Sequence, residues 1–217
     1  MIAVGVGEDS PIPAGNNGAG TAGLIGVGGL AYGDDSSVTV LNDSSGNVNA
    51  GLAGALGVGI GDGNTISGND ISDTSACPPD PCGFGVAIAG GDGNVVAANQ
   101  VARTALDGIA VVALDPGDTT SNTLLRDNFV RASAHDDHSV GAVGAGTVTD
   151  TRLAGNLALT AAGDGFDIFT AGTTLTRNKA FADGNRGFEA VAGTIDGGGN
   201  LVHGNGNPAQ CTGVVCG

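Results

Sequence analysis

Residues 94–99 read NVVAAN, and residues 123–128, one repeat further along the chain, read TLLRDN. Both fit one pattern: an amide or hydroxyl residue, an aliphatic residue two positions later, and an asparagine three positions after that. The pattern ends at the following asparagines: Asn69, Asn99, Asn128, Asn156, Asn178 and Asn205. Self-similarity at a spacing of roughly 20–50 residues is the signature of a repeat architecture. The chain is therefore predicted to form stacked coils.

Two further positions of the repeat keep the same chemical character in every coil. The aliphatic column, three residues before each asparagine, consists of Ile66, Val96, Leu125, Leu153, Leu175 and Val202. The amide or hydroxyl column, five residues before, consists of Asn64, Asn94, Thr123, Thr151, Thr173 and Asn200. We expect the aliphatic column to stack inside the coils. The asparagines are expected at corners, because asparagine tolerates left-handed backbone and bonds locally.

A second element of the repeat alternates apolar and polar residues, as a strand does. Examples are GFGVAIAG from Gly83, DGIAVVAL from Asp107, SVGAVGAG from Ser139, DGFDIFTAG from Asp164 and RGFEAVAG from Arg186. One predicted inward column is Phe84, Ile109, Val140, Phe166 and Phe188. The next is Val86, Val111, Ala142, Ile168 and Ala190.

Composition excludes several classes of protein. Asp and Glu number 22 against 7 Lys and Arg, which gives a net charge of −15. Such a chain has no basic patch to neutralise phosphates, so we expect no nucleic-acid partner. It has no apolar run long enough to span a membrane. Its 42 glycines interrupt every stretch that a long helix would need.

The repeat resembles that of the right-handed parallel β-helix proteins of the pectate-lyase-like superfamily. The C-terminal run GGGNLVHGNGNPAQCTGVVCG, residues 197–217, is similar to the endings of secreted bacterial members. The resemblance implies an all-β solenoid of about seven or eight coils in a single domain. We expect irregular N-terminal coils over residues 1–55, regular coils over 56–205 and a cysteine-containing cap over 206–217.

The family's fold serves many activities, so function has to come from the site. The first hypothesis is a secreted or cell-surface protein without catalytic machinery, which self-associates or binds glycans. The alternative is a polysaccharide lyase, glycoside hydrolase or epimerase that acts on an acidic polysaccharide. The absence of Trp and the single Tyr favour the first, because aromatic platforms for sugar rings are missing.

One set of residues would carry the enzymatic alternative. Alternation points Asp167 and Glu189 outward at equivalent positions of adjacent coils, and Asp164 and Arg186 stand at the preceding corner. Two carboxylates one strand spacing apart raise the pKa of one of them or recruit a cation. These four residues are the candidate catalytic group, and Ca²⁺ is the cofactor such a carboxylate group would take.

A second set is the run His135, Asp136, Asp137 and His138. Imidazole and carboxylate groups are metal ligands, so this loop is a candidate metal site. Spacing within a loop fixes no geometry, and a solvated loop is the alternative interpretation.

The four cysteines form two local pairs, Cys77 with Cys82 and Cys211 with Cys216. Two local disulfides are expected, which places the protein in an oxidising, extracellular compartment. A zinc site is the competing interpretation, but the pairs lie about five coils apart, too far to share an ion.

The last candidate is an outward apolar column. Its predicted members are Ala87, Val112, Val143, Phe169 and Val191. Stacked apolar residues on an exposed sheet mark an interface, so this column is the candidate surface for a homo-oligomer or stacked assembly. A loop folded over the sheet is the alternative.

Overall fold

The computed structural model describes residues 62–74, 83–113, 116–142 and 145–217 in full, and gives strand positions alone between Ile2 and Ile60. Three long parallel sheets make up the structure, and every strand pairs with the equivalent strand of the next coil. Neighbouring strands in each sheet therefore lie one coil apart in sequence, which is the pairing of a β-solenoid.

We name the three long sheets A, B and C in chain order. Sheet A contains Ile2–Val6, Gly28–Tyr32, Gly57–Ile60, Val86–Ala89, Ile109–Ala113, His138–Ala142, Phe166–Ile168, Phe188–Ala190 and Cys211–Thr212. Sheet B contains Pro11–Ile12, Ser37–Thr39, Thr65–Ser67, Val95–Ala97, Leu124–Arg126, Arg152–Ala154, Thr174–Thr176 and Ile195–Asp196. Sheet C contains Asn17–Ala19, Asp43–Ser45, Asp70–Ser72, Gln100–Ala102, Phe129–Arg131, Leu157–Leu159, Lys179–Phe181 and Leu201–His203.

Two smaller parallel sheets complete the strands. One contains Gly91–Asp92, Thr119–Ser121 and Thr147–Thr149, and the other contains Ala22–Gly23 and Val48–Asn49. Within the described residues no helix is long and apolar enough to cross a bilayer. The prediction of an all-β parallel β-helix is confirmed, and the eight strands of sheets B and C correspond to eight coils.

The ends of the chain join the same sheets. The predicted change from irregular to regular coils, at residues 55 and 56, lies outside the described residues. At the other end, Phe188 and Glu189 pair with Cys211 and Thr212, and Asn200 forms an isolated bridge with Cys216.

The aliphatic column packs inside the coils. Ile66, Val96, Leu125, Leu153 and Leu175 pair in direct succession along sheet B, and each is at most 1% exposed. A parallel column on sheet C consists of Ile71, Val101, Val130, Ala158, Ala180 and Val202. The two columns supply most of the apolar core on these sheets.

Asparagines form a continuous ladder beside this core. The side-chain amide of each ladder residue donates to the carbonyl oxygen of the next coil's asparagine, at 2.7–3.4 Å. The same oxygen also accepts the backbone N–H of the preceding coil's asparagine, at 2.9–3.1 Å. The ladder consists of Asn69, Asn99, Asn128, Asn156, Asn178 and Asn200. Each coil is thereby held to the next in one register.

The last asparagine of the ladder is not the one that the sequence alignment predicted. The predicted sixth asparagine, Asn205, instead accepts the backbone N–H of Asp183. Asn200 occupies the ladder, and Val202 pairs with Ala180 on sheet C instead of continuing the Leu175 column. Asn205 fits the motif, whereas Gly197 stands three residues before Asn200, so the motif favoured the wrong asparagine of the segment NLVHGN.

The corner geometry also differs from the prediction. The ladder asparagines are not left-handed; the residue before each of them is. These residues are Gly68, Ala98, Asp127, Gly155, Arg177 and Gly199, with φ between 53° and 73°. The asparagines are needed for their side-chain bonds, and the turn itself is made by the residue before.

The register of sheet A differs from the prediction by two residues in two coils. His138, rather than Val140, pairs between Ile109 and Phe166. Likewise Val86 pairs with Ile109, and Val140 with Ile168, so Phe84 and Ala142 are not in the columns predicted for them. Because strand alternation has a period of two, a shift by two residues leaves the apolar pattern intact.

His138 is consequently a core residue. Its ring stacks on Phe166 with centroids 4.5 Å apart, and Phe166 stacks on Phe188 at 4.6 Å. Both ring nitrogens are buried, and neither has a hydrogen-bond partner among the described residues. Burial lowers the pKa of His138 to about 3, so the ring is neutral at neutral pH.

Replacing His138 with Phe should stabilise the protein. The variant continues the ring stack and removes two buried polar atoms, which is expected to add about 1–2 kcal/mol to the free energy of unfolding. The folded-state pKa lies below the unfolded value of 6.5, so the wild type loses stability as pH falls below about 6.5. Denaturant unfolding should show the advantage of His138→Phe growing between about pH 7 and pH 4.

Leu153→Ala is the comparison variant for the same measurement, with an expected loss of about 2–5 kcal/mol at all these pH values. A difference between wild type and His138→Phe that does not change with pH would contradict the assignment of a neutral buried imidazole.

Candidate functional site

The corner before sheet A carries a second ladder, made of carboxylates. Asp107, Asp136 and Asp164 occupy the same corner position on successive coils, with Arg186 next. Each carboxylate accepts the backbone N–H of the next corner residue. Asp107 accepts from Asp136 at 3.2 Å, Asp136 accepts from Asp164 at 2.6 Å, and Asp164 accepts from Arg186 at 2.6 Å. The three aspartates are at most 7% exposed. They therefore support the stacking of the coils from largely buried positions.

His135 lies on this ladder. Its Nδ1 is 2.6 Å from Asp107 Oδ1 and 2.9 Å from Asp136 Oδ2. The hydrogen bond to Asp107 and the charges of Asp136, Asp107 and Asp167 outweigh burial and raise the pKa of His135 to about 9. Ser139 Oγ donates to the other oxygen of Asp107 at 2.6 Å. Asp107 thus joins the corner ladder to the outward face of sheet A.

Sheet A presents a column of polar side chains beside this corner. Ser139, Asp167 and Glu189 pair in succession on adjacent coils and point outward. Asp167 is partly exposed, and its pKa is raised to about 6, first by burial and then by the negative charges of Asp164, Glu189 and Asp107. Its carboxyl group is therefore part protonated in mildly acidic water.

Other carboxyl groups around the corner are perturbed in the same direction. Burial is the main cause for each, and it raises the pKa of Asp136 to about 7 and that of Asp137 to about 6. The pKa of Asp164 is also raised, chiefly by burial. A group of carboxyl groups with raised pKa values on one face is typical of functional sites, though structural networks produce it as well.

The predicted catalytic group is brought together in space. Asp167 and Glu189 are direct neighbours, and Arg186 forms an ion pair with Glu189. Asp164 accepts the backbone N–H of Arg186 and, at 3.2 Å, the side-chain amide of Asn185. The four residues thus occupy one patch across two coils.

Sequence reasoning missed Asp107 and Ser139, which belong to the same patch. The run Asp107-Gly108-Ile109 matches Asp164-Gly165-Phe166, and this match was the signal for the corner carboxylate. Residues 138–142 were predicted two residues out of register. This error hid Asp136, which lies between Asp107 and Asp164 in the carboxylate ladder, and it placed Ser139 outside the Asp167 column.

The predicted metal loop is divided by the strand that follows it. His138 is in the core, and Asp137 is fully buried, where it accepts bonds from Ser133 Oγ and the backbone N–H of Leu159, both at 2.7 Å. The four predicted ligands are therefore not brought together. Within the described residues, the donor atoms that converge, within 4.8 Å of one another, belong to Asp107, His135 and Asp136. An imidazole with two carboxylates is a donor set that suits a transition metal.

The predicted apolar column is also divided. Ala87 pairs with Ala110 in the Ser139 and Asp167 column, whereas Phe169 follows Ile168 and lies over Gly141. Ala87, Ala110 and Val112 are buried with Phe84 and Leu106, so the chain itself covers them. Phe169 and Val191 stay 40% and 39% exposed. Val143 lies outside the described residues.

Of the two predicted cysteine pairs, the C-terminal one lies within the described residues. Cys211 and Cys216 form a disulfide that closes the segment after the last sheet A strand. The pair Cys77 and Cys82 lies outside the described residues.

Comparisons with known proteins find similarity in structure but not in sequence. No family model matches the chain, and no curated protein matches it in sequence. Among solved structures, the periplasmic alginate epimerase AlgG is similar, with a TM-score of 0.60 and 15% identity over 88% of this chain and 46% of that one. The catalytic unit of a thermostable GH87 α-1,3-glucanase from Streptomyces thermodiastaticus gives a TM-score of 0.55 and 20% identity, over 96% of this chain and 43% of that one.

The chain is a parallel β-helix protein. It spans less than half the length of these two structures. At such low sequence identity the likeness shows the fold alone, because unrelated functions share one fold.

Replacing Asp183 with Asn should test the electrostatics of the corner. Asp183 is 1% exposed, and its Oδ1 accepts the backbone N–H of Ala161 at 3.0 Å. Its Oδ2 has no hydrogen-bond partner in the part of the chain that the structure describes. Burial and the charges of Asp137, Asp164 and Asp136 raise its pKa from 3.8 to about 7. A raised folded-state pKa means that the ionised carboxylate costs stability above that pKa, and that this cost disappears as pH falls toward 3.8.

Asp183→Asn is therefore expected to be more stable than wild type by roughly 1–3 kcal/mol at pH 8, and about equally stable at pH 4. Denaturant unfolding at both pH values measures the difference. Asp150→Asn, at an exposed position, controls for the loss of one charge. An advantage for Asp183→Asn that persists unchanged at pH 4 would show that its carboxyl group is not the cause.

Proposed function

We propose that this protein acts on a polysaccharide at the outward face of sheet A, by cleaving a glycosidic bond. Asp167 would be the general acid and Glu189 the nucleophilic carboxylate. The observation that carries the proposal is the direct pairing of these two residues on adjacent coils, with a raised pKa at Asp167 and an ion pair at Glu189.

The chemistry requires two carboxyl groups in different protonation states. A general acid must hold its proton near the working pH, and the half-buried Asp167, with a pKa of about 6, meets that requirement in mildly acidic water. Arg186 orients Glu189 through their ion pair. Positively charged His135 lies on the other side of Asp167 and moderates the negative charge there.

Geometry favours one stereochemical course. Strands of adjacent coils lie about 4.8 Å apart. Carboxyl groups about 5–5.5 Å apart are typical of glycosidases that retain the anomeric configuration, whereas inverting enzymes need about 6.5–9.5 Å. We therefore expect retention, with Asp167 protonating the leaving oxygen and then deprotonating the attacking water.

The solved neighbours support a polysaccharide as the class of substrate, since one is an alginate epimerase and the other an α-1,3-glucanase. The Cys211–Cys216 disulfide supports a location outside the cytoplasm. Both inferences are part of the proposal.

A glycan-binding role without turnover is the second candidate. It is favoured by the bonds of Asp107, Asp136 and Asp164 to the backbone of the following coil, which give these carboxylates a structural explanation.

Asp167→Asn should abolish cleavage. We expect wild-type protein to release new reducing ends from at least one of α-1,3-glucan, alginate and polygalacturonate, and Asp167→Asn to be slower by about 100-fold or more. Wild-type activity should fall as pH rises through about 6, since the acid loses its proton there.

Asp150→Asn controls for the change of charge, and circular dichroism checks that each variant is folded. Binding of these polymers by wild type with no new reducing ends would favour the second candidate. Equal activity of wild type and Asp167→Asn would overturn the assignment of the acid.

A further inference from the structure

Sheet B carries a reversal of charge on an otherwise acidic protein. Three of the seven basic residues, Arg126, Arg152 and Arg177, stand on three successive coils at or beside its outward face. All three are exposed. The acids that line the clefts beside these arginines are Asp127 and Asp150, so arginines outnumber acids there, whereas the chain as a whole carries −15.

The arginines border a shallow cleft with a floor of small residues. Arg126 and Arg177 line it from coils on either side of Ala154 and Gly155. Two coil spacings, about 10 Å, separate the backbones that carry the two guanidinium groups. The small floor leaves the space between these groups open.

Glycines stand on both sides of Arg177 in this corner column. A Cβ at Gly155 would lie 2.9 Å from Asp127 Oδ1, and one at Gly199 would lie 2.9 Å from Arg177 Cγ. Both glycines and the intervening Arg177 have left-handed backbone, with φ between 53° and 73°. The corner thus leaves the side chain of Arg177 room beside Gly199.

The guanidinium groups have little to bind within the described part of the chain. Arg126 contacts Asp127 at 3.4 Å, with both side chains more than half exposed, and such a pair contributes little. No carboxylate within the described residues forms an ion pair with Arg152 or Arg177. The planar forks of these groups are suited to carboxylates.

We propose that the Arg126–Arg177 cleft of sheet B binds the carboxylate groups of an acidic polysaccharide that lies along the solenoid axis. The cleft is open and its arginines are solvated, so a single small anion would gain little there. A polymer that repeats its charge gains from several weak contacts at once. This binding surface is on a different sheet from Asp167 and does not depend on cleavage.

Affinity electrophoresis in native gels that contain polygalacturonate tests the proposal. Wild type should be retarded, and the double variant Arg126→Gln/Arg177→Gln should need about tenfold more polymer for the same retardation. Raising the salt concentration should weaken the retardation, since the contacts are between exposed charges.

Arg131→Gln is the control, because it removes a positive charge from an exposed position on sheet C. Retardation should be nearly unchanged in this control. Arg131 lies on sheet C, outside both the cleft and the outward face of sheet A, so the comparison tests the cleft independently of the proposed catalysis.

Several results would overturn the proposal. They are unchanged retardation of the double variant, an equal loss in Arg131→Gln, and equal retardation of wild type by uncharged dextran. Displacement of wild type from polygalacturonate by monomeric galacturonate as effectively as by its oligomers would also contradict a polymer site.

Discussion

The asparagine ladder from Asn69 to Asn200 is the constraint on which the other columns depend. Each amide bonds to the asparagine of the next coil and to a backbone carbonyl beside the aliphatic column, as Asn128 does to Val96 at 3.0 Å. Loss of one amide would leave buried donors and acceptors unpaired, at about 1–3 kcal/mol each. The ladder therefore fixes the register, and the register decides which side chains stack.

The carboxylate corner uses the same principle with charged residues. Asp107, Asp136 and Asp164 bond to backbone N–H groups as the asparagines do, but a buried carboxylate is costly unless fully bonded. Burial, and after it the negative charges of neighbouring carboxylates, raises the pKa values of Asp136, Asp137, Asp164 and Asp183. Asp167 lies at the outer edge of this group and is open to solvent, which makes it the group with both a perturbed pKa and access to a ligand.

Much of this arrangement could be predicted from sequence. The repeating asparagine and aliphatic positions were sufficient for the fold and for the Leu125, Leu153 and Leu175 stack. The pairing of Asp167 with Glu189 followed from alternation in two segments, DGFDIFTAG and RGFEAVAG, that have equal lengths before the strand. Where coils have equal spacing, periodicity alone gives the register.

The errors arose where periodicity carries no information. A shift by two residues preserves alternation, so the apolar pattern of residues 138–142 could not show that His138 is in the core. Only Asn205 satisfied the motif, yet hydrogen bonds between coils place Asn200 in the ladder and join Asn205 to Asp183. The group of Asp107, His135 and Asp136 depends on contacts 28 and 29 residues apart, which no local pattern reports.

The most direct measurement is a titration of the Asp167 side-chain carboxyl carbon by NMR, in wild type and in Glu189→Gln. The account predicts a midpoint near 6 in wild type, and a lower midpoint in the variant because one neighbouring negative charge is gone. A midpoint near the ordinary 3.8 in both proteins would contradict the register that places Asp167 among these carboxylates.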